Sequence, residues 1–186
     1  MTVKDIIISA LKNLGRAELS GKLEKSLTLS AEENDTVNTL LYCYNAVEDE
    51  VARAYIPLTA SEKISGKDGE FYYARFMRAP VKIKRVTVDG KRIAYEKYPL
   101  YIKADADEIC VEYEYSPCKK TLDAASEFPD GTGEYLFACG TAAEYCLING
   151  EVEAAALWES KYRQCIDGAQ AKLSPPSGYI PPRRWV

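Results

Sequence analysis

Residues 81–95 read VKIKRVTVDGKRIAY, and this stretch decides what kind of fold the chain can form. Valine and isoleucine recur in it at the two-residue period of a strand, with Arg85 out of step, which predicts a strand that contains a bulge. Asp89 and Gly90 follow, and Asp-Gly between two strand-like runs is a strong signal for a two-residue hairpin. The middle of the sequence therefore predicts antiparallel β-structure.

The β pattern extends over residues 58–117, where runs rich in Tyr, Val and Ile are separated by turn signals at residues 66–69 and 105–107. In the last run, EICVEYEY at residues 108–115, apolar and polar residues alternate, so we expect one face of that strand to be solvated. The block predicts an antiparallel sheet of four to six strands.

Two helices are predicted before this block. Residues 3–14 repeat apolar side chains at helical spacing. Residues 16–29 are polar and predict a loop or a short helical turn. Ser30 and Glu33 then have the spacing of a capping box at the start of a long amphipathic helix, which Pro57 ends.

Two more helices are predicted after the block. Asp130 or Thr132 is expected to cap the third helix, and the Asn-Gly pair at residues 149–150 ends it. The fourth helix covers residues 151–172. Both helices are rich in alanine, which permits close approach between them.

The order of elements predicts an α+β protein: a mostly helical bundle of about four helices, with an inserted antiparallel β block and an extended C-terminal tail. The predicted organisation is one domain. Its helices lie in residues 1–57 and 118–172, the β insertion covers residues 58–117, and an extended C-terminal arm covers residues 173–186.

The composition narrows the chemistry that the chain can perform. Its 186 residues include no histidine, which excludes Ser-His and Cys-His nucleophile systems. None of the six cysteines forms a C-x-x-C pair, so zinc-site patterns are missing. We interpret the cysteines as free thiols of a reducing cytosol, with Cys139 and Cys146 filling the core from one helix face. Phosphate-binding and dinucleotide-binding glycine motifs are also missing, and no cofactor is predicted.

Two acidic segments have some features of a carboxylate site but lack others. The run Glu-Asp-Glu at residues 48–50 offers carboxylates, but consecutive helical residues point in different directions, which favours a solvated helix face over a glycosidase pair. Residues 123–134 have the length of an EF-hand loop, but Ala125 replaces a ligand and Phe128 replaces the required glycine. No catalytic residue and no metal ligand is assigned.

The 14 tyrosines concentrate in the β block and the last helices. They can stack on a sugar or a base, although tyrosine is also simply a good strand residue. The chain carries a net charge of −4, which argues against a nucleic-acid surface. A tyrosine-rich module that binds glycan or peptide stays open as an alternative, as does a carboxylate-based hydrolase.

The sequence ends in SPPSGYIPPRRWV at residues 174–186. Its prolines bias the free chain toward the extended polyproline conformation, so less entropy is lost when it docks. Tyrosine, tryptophan and arginine are the residues that dominate protein interfaces. The predicted partner-binding residues are Pro175, Pro176, Tyr179, Ile180, Pro181, Pro182, Arg183, Arg184 and Trp185. Docking on another chain and folding back on the same domain both stay open.

The chain resembles the head–tail connector (adaptor) proteins of tailed bacteriophages, including their head-completion and tail tubular adaptors. Four strings carry the resemblance: IISALKNLG at residues 7–15, AYIPL at 54–58, VTVDGKRI at 86–93, and the closing segment at 128–186. In that last segment a helix rich in small residues, an Asn-Gly break, a helix with ALWESKY and a basic aromatic tail follow one another. The resemblance covers the whole chain in architecture.

The resemblance implies a structural virion protein and not an enzyme. Such proteins form a homo-oligomeric ring, commonly of about twelve copies, between the portal protein and the next tail or head-completion protein. DNA passes through the bore without sequence-specific binding, and the C-terminal segment docks on the portal. The implied location is the head–tail interface of the virion, after assembly in the bacterial host cytoplasm and without a membrane. A neighbouring head-completion or tail-terminator component is the alternative within this class.

The charge distribution agrees with a ring of this kind. The net charge of the whole chain is −4, and the two arginines of the arm contribute +2. The rest of the chain therefore carries a net charge of about −6. Affinity for phosphate comes from cations, so an acidic body suits a bore that must not hold DNA tightly.

Overall fold

The computed structural model describes residues 1–173, and the partner-binding residues predicted between positions 175 and 185 lie outside the described residues. The described chain is an α+β protein with antiparallel sheets, as predicted. It divides into two compact units. One contains Met1–Glu48 and the described residues from Lys119 onward, and the other is Asp49–Cys118.

The first unit is helical. Five α-helices are present in the described residues, where about four were expected: α1 (Val3–Asn13), α2 (Ala17–Glu24), α3 (Ala31–Glu50), α4 (Glu134–Ile148) and α5 (Val152–Leu173). Helix α1 packs on α2 and on α4, and α4 packs on α5. The additional helix is α2, which buries only Leu19, Ser20 and Leu23 on one side. Such a short apolar repeat gave too weak a helical signal.

The helix ends show which capping predictions hold. The capping box at the start of α3 is confirmed, because Ser30 N donates to Glu33 Oε2 at 2.8 Å and Glu33 N donates to Ser30 Oγ at 3.2 Å. The last α-helical residue of α3, Glu50, runs into one π-helical turn, Val51–Tyr55, just before the predicted stop at Pro57.

The predicted cap of α4 is wrong. Gly133 occupies the cap position, with φ of 96°, and no side chain caps the helix. Asp130–Thr132 instead form a 3₁₀ turn, and Asp130 Oδ1 accepts from the amine of Met1 at 2.9 Å. Asp130 therefore holds the chain start, a long-range contact that local sequence does not show. The predicted break at Asn149 and Gly150 is confirmed.

The second unit holds the strands. They are β1 (Leu58–Ser65), β2 (Glu70–Tyr72), β3 (Pro80–Val88), β4 (Lys91–Arg92), β5 (Glu96–Lys97), β6 (Tyr101–Lys103) and β7 (Glu108–Tyr115). These seven strands exceed the predicted four to six, and they form two antiparallel sheets instead of one. The sheet orders are β1-β7-β3-β4 and β2-β6-β5. Strands of two or three residues are too short to show a period in sequence.

The hairpin that decides the fold forms as predicted. Val88 pairs with Lys91, and the two residues between them have the positive φ of a two-residue turn, 48° at Asp89 and 78° at Gly90. The predicted irregularity in β3 is also confirmed, since its register against β7 shifts between Ile83 and Arg85.

The β unit has its own hydrophobic core. On β7 the inward residues Ile109, Val111 and Tyr113 are almost fully buried. The opposite face of β7 carries Glu112 and Glu114, which pair with cations of β3, so the predicted solvated face is confirmed. Both sheets contribute to the core, which contains Ile64, Phe71, Phe76, Ile83, Val86, Ile102, Ala104, Ile109, Val111 and Tyr113.

Among residues 1–173, no helix combines the length and the apolar character that are needed to cross a membrane.

Candidate functional site

A buried polar cluster in the helical unit centres on Glu48. A solvated helix face was predicted for residues 48–50, and this is wrong for Glu48, whose side chain is 1% exposed. Its Oε1 accepts from the Tyr44 hydroxyl at 2.7 Å, the Ser126 hydroxyl at 2.9 Å and the Glu127 backbone N–H at 3.2 Å. The carboxylate is buried because the segment after residue 118 supplies these donors.

The same cluster contains a buried ion pair. Lys120 Nζ donates to Glu127 Oε1, and the two side chains are 9% and 10% exposed. Asn45 of α3 fixes the backbone beside this pair: Lys120 N donates to Asn45 Oδ1 at 2.6 Å, and Asn45 Nδ2 donates to Lys120 O at 3.2 Å. One side chain thereby satisfies both backbone groups of Lys120.

The chemistry of this cluster is structural. Burial raises the pKa of the Tyr44 phenol above its ordinary value, so Tyr44 stays protonated. Its hydroxyl group therefore donates a hydrogen bond to Glu48. Glu48 Oε2 has no hydrogen-bond partner among the described residues. Because Tyr44 and Glu48 are both almost fully buried, no substrate reaches the carboxylate. We interpret the cluster as a set of buried hydrogen bonds that holds α3 against the segment that leads to α4.

A cluster of three tyrosines lies on the three-stranded sheet of the β unit. Tyr72 of β2, Tyr101 of β6 and Tyr98 between β5 and β6 form what we call the tyrosine surface. The rings of Tyr98 and Tyr101 stack with centroids 4.8 Å apart, and those of Tyr72 and Tyr101 are 5.3 Å apart. Neighbouring Phe71 and Ile102 are fully buried, so strand alternation turns these tyrosines outward.

Two carboxylates border the tyrosine surface. The Tyr72 hydroxyl donates to Glu70 at 2.7 Å, and the Tyr98 hydroxyl donates to Glu96 at 2.8 Å. These hydrogen bonds to carboxylates raise the pKa of both phenols. The two hydroxyls therefore stay protonated and are oriented by these carboxylates.

An open cleft of about 680 Å³ adjoins this surface. We call it the acidic cleft, because its lining includes the carboxylates of Asp68, Glu96, Asp105 and Asp107 and the single ammonium group of Lys103. Glu96 belongs to both the cleft and the border of the tyrosine surface. The tyrosine surface and the acidic cleft therefore lie side by side on the β unit.

Sequence reasoning noted the abundance of tyrosine in the β block but did not find which tyrosines converge. A signal was present: Glu70 and Tyr72 are two residues apart, as are Glu96 and Tyr98. Positions i and i+2 of a strand share a face, so each pair places its carboxylate beside its ring. What the sequence does not show is that β2 and β5 both pair with β6.

A second exposed patch lies where α4 turns into α5. Leu147, Ile148 and Val152 are 57%, 54% and 66% exposed, and we call them the α4–α5 tip. Large apolar side chains grouped at one turn are typical of a contact surface.

The core-filling prediction for Cys139 and Cys146 is confirmed. Cys139 and Cys146 are buried, as expected, and so is Cys43, whereas Cys118 is exposed. All six cysteines lie in the described chain, and none of them forms a disulfide there. Within residues 1–173 no group of three or more Cys, Asp or Glu side chains is arranged to hold a metal ion.

No protein-family model matches this sequence, and no curated protein matches it significantly.

Proposed function

We propose that this protein is a non-enzymatic ring subunit that joins a phage portal to the tail and continues the DNA channel. The observation that carries the proposal is the order of units: a helical unit whose chain is interrupted between α3 and α4 by an antiparallel β unit. This is the order that the connector proteins share. We also propose that the helices form a bundle of the connector type and that the C-terminal segment is an extended arm.

Two surfaces support an assembling subunit. The α4–α5 tip offers apolar side chains that a neighbouring copy can bury, at about 25 cal/mol for each Å² removed from water. The arm offers residues suited to a portal surface, with Tyr179, Ile180 and Trp185 as apolar anchors and Arg183 and Arg184 as partners for carboxylates.

Deletion of the gene tests the proposal directly. In a strain that lacks the gene, electron microscopy should show heads that have no attached tails. A plasmid copy of the gene should restore tailed particles. Normal tailed virions in the deletion strain would contradict the connector function.

Portal binding is a separate step and has its own control. Full-length protein should be retained by immobilised portal, and a chain ending at residue 173 should be retained less. Equal retention of both would show that the arm contributes nothing to portal binding.

The tyrosine surface favours a second candidate function, a module that binds glycan or peptide. Exposed stacked rings with oriented hydroxyls suit a sugar face. Binding of the protein to a glycan array, lost in Tyr98→Ala and kept in Tyr42→Ala, would favour this candidate over the connector.

A further inference from the structure

We propose that Cys139 of α4 and Cys165 of α5 form a peroxide-sensitive dithiol site, at which oxidation joins the two thiols in a disulfide that ties α4 to α5. We call these two residues the thiol pair. Both lie in the helical unit, within the described residues. The site does not depend on the connector function, so either proposal can fail without the other.

The packing of α4 on α5 places the thiol pair between the two helices. Gly140, next to Cys139 in sequence, faces α5, because a Cβ atom there would lie 3.0 Å from the Tyr162 ring. Cys165 follows Tyr162 by three residues and therefore shares its face of α5. Both cysteines thus lie on the surfaces that the helices turn toward each other.

A chain of hydrogen bonds connects the thiol pair. The Tyr135 hydroxyl donates to the Cys139 sulfur, and the Cys139 thiol donates to the Cys165 sulfur. Two sulfur atoms in hydrogen-bond contact reach the S–S bond length of about 2.05 Å by small movements of their side chains and helices. The donor from Cys139 also favours negative charge on Cys165, so Cys165 is the nucleophile of the pair.

Exposure separates the roles of the two thiols. Cys139 is buried, whereas Cys165 is partly exposed, so a small oxidant reaches the sulfur of Cys165 first. Burial raises the pKa of both thiols, which keeps them protonated near neutral pH. Because the thiolate is the reactive form, the pair stays reduced until an oxidant is supplied.

Cys146 is not an equivalent partner for Cys165, although it is also buried on α4. It lies seven residues, about 10 Å, further along the helix than Cys139. A disulfide joins Cα atoms that are only about 4.4–6.8 Å apart, so Cys165 cannot serve both positions. The Cys146 thiol instead donates a hydrogen bond to Glu151.

The oxidation balances with hydrogen peroxide as the two-electron oxidant. The Cys165 thiolate attacks one peroxide oxygen: an S–O bond forms, the O–O bond breaks, and the departing hydroxide takes up the proton that Cys165 released. The Cys139 sulfur then attacks Cys165: the S–S bond forms, the S–O bond breaks, and the second hydroxide takes the proton of the Cys139 thiol. Two thiols and one peroxide become one disulfide and two waters.

The disulfide should stabilise the protein, because it closes the segment between the two cysteines and so restricts the unfolded chain. The thermal midpoint of the oxidised protein should lie about 5–10 °C above that of the reduced protein. Dithiothreitol should reverse the shift.

Mass spectrometry of the full-length wild-type protein tests the link. The protein is treated with hydrogen peroxide in mildly alkaline buffer, and the remaining thiols are alkylated after unfolding. Cleavage after glutamate separates Cys139 from Cys146 at Glu144, so the partner of Cys165 is identified directly. We expect the Cys139–Cys165 peptide to be the main disulfide-linked product.

Two variants relate the link to the stability change. Cys146→Ser is the matched control, because it removes a buried α4 thiol outside the pair. It should keep both the linked peptide and the midpoint shift, whereas Cys165→Ser should lose both. Circular dichroism checks that each variant is folded, and the peptide assay on the wild-type chain decides the matter if a variant does not fold.

Three results would overturn the inference. In the first, peroxide oxidises the exposed Cys118 but no Cys139–Cys165 peptide forms. In the second, Cys165 links equally well to Cys146. In the third, the thermal midpoint of Cys165→Ser rises on oxidation as that of the wild type does.

Discussion

Tyr42 and Tyr44 are two residues apart on α3, yet one is 69% exposed and the other is fully buried. At helical spacing two such positions point in different directions, so the same residue type serves two purposes. Tyr44 completes the buried polar cluster by donating to Glu48 at 2.7 Å. The pair offers a matched comparison of a single hydroxyl group inside and outside the core.

Tyr44→Phe should lower the free energy of unfolding by about 1–3 kcal/mol, since it removes a donor from a buried carboxylate. Tyr42→Phe should change it by less than about 0.5 kcal/mol. Urea denaturation followed by circular dichroism measures both. Equal effects of the two variants would show that the hydroxyl of Tyr44 adds nothing to stability.

The stability of the protein should fall in alkaline solution. Burial raises the pKa of the Cys43 thiol from 9.0 to about 12, and burial, then the hydrogen bond to Glu62, raises the pKa of Tyr113 from 10.0 to about 12. Both shifts favour the protonated form in the folded state. Their contribution is fully present below pH 9 and is lost as the pH rises toward 12, because the unfolded chain releases these protons first.

Urea midpoints measured at pH 7 and pH 10.5 should therefore differ, with the lower midpoint at pH 10.5. Absorbance at 295 nm should show fewer than 14 tyrosines ionising near pH 10 in the folded protein. A native titration in which every tyrosine ionises near its ordinary pKa would contradict this explanation.

The residue scale also shows where sequence reasoning fails. The sequence predicts a solvated face for Glu48 because the consecutive carboxylates at residues 48–50 point in different directions on a helix and do not form a glycosidase pair. The burial of Glu48 depends on Ser126 and Glu127, which are close only after folding. Local pattern reports which residue types are present, whereas long-range donors decide whether a carboxylate can be buried.

At the scale of elements, helix α4 has Gly140 at the point where three helices meet. A Cβ atom at this position would lie 2.7 Å from Val47 Cγ1 of α3 and 3.0 Å from the Tyr162 ring of α5. Both neighbours are buried and Val47 is branched at Cβ, so neither yields easily. The small residue lets α3 and α5 approach α4 closely.

Gly140→Ala should destabilise the protein by about 1 kcal/mol, because overpacking costs about 1–3 kcal/mol and the gain in helix propensity offsets about 1 kcal/mol of that cost. The control is Gly168→Ala in α5, where a Cβ would meet no atom within 4 Å. That variant should stabilise by about 0.5–1 kcal/mol. Thermal or urea unfolding should give shifts of opposite sign, and shifts of the same sign would refute the packing role.

The elements that could be predicted are those with a sustained period or a strong local signal. The long helices, the Ser30 capping box and the Asp89-Gly90 hairpin are of this kind. For α2 the sequence leaves a loop and a short helical turn both open, because this helix buries only one short stripe. The sheet β2-β6-β5 was missed because its strands have two or three residues each and its order comes from pairing distant in sequence.

At the scale of the whole molecule, the β unit has the features of an independently folding part. Its core cluster is drawn entirely from residues between 64 and 113. Its first and last strands pair with each other, Leu58 opposite Tyr115 and Ser65 opposite Glu108. The chain therefore begins and ends the unit at adjacent positions of one sheet.

A fragment covering residues 49–118 should fold on its own, although marginally for its size. We expect a β-type circular dichroism spectrum, a cooperative thermal transition and dispersed amide resonances. The same fragment with Val86→Asp, which puts a charge in the core, should be unfolded. A wild-type fragment with the spectrum of a random coil would show that the β unit depends on the helices.

The insertion of a β block between helices could be predicted at this scale, because the period changes from helical to alternating and back. The sequence predicts the β block at residues 58–117. The contacts of the chain group into two compact units, and the first boundary between them falls within α3, at Glu48 and Asp49. A helix that crosses such a boundary shows no interruption of its pattern in the sequence. Only the pattern of long-range contacts reveals it.

The pairing of Leu58 with Tyr115 also fixes the mechanical response of the β unit. Tension applied across its two junctions with the helical unit would act on one end of the β1–β7 pair. Antiparallel hydrogen bonds run perpendicular to the strands, so this load opens them in succession from Leu58 toward Ser65, and not all at once as a shearing load does. The β unit should therefore unzip at low force under a pulling experiment, and extend before the helices yield.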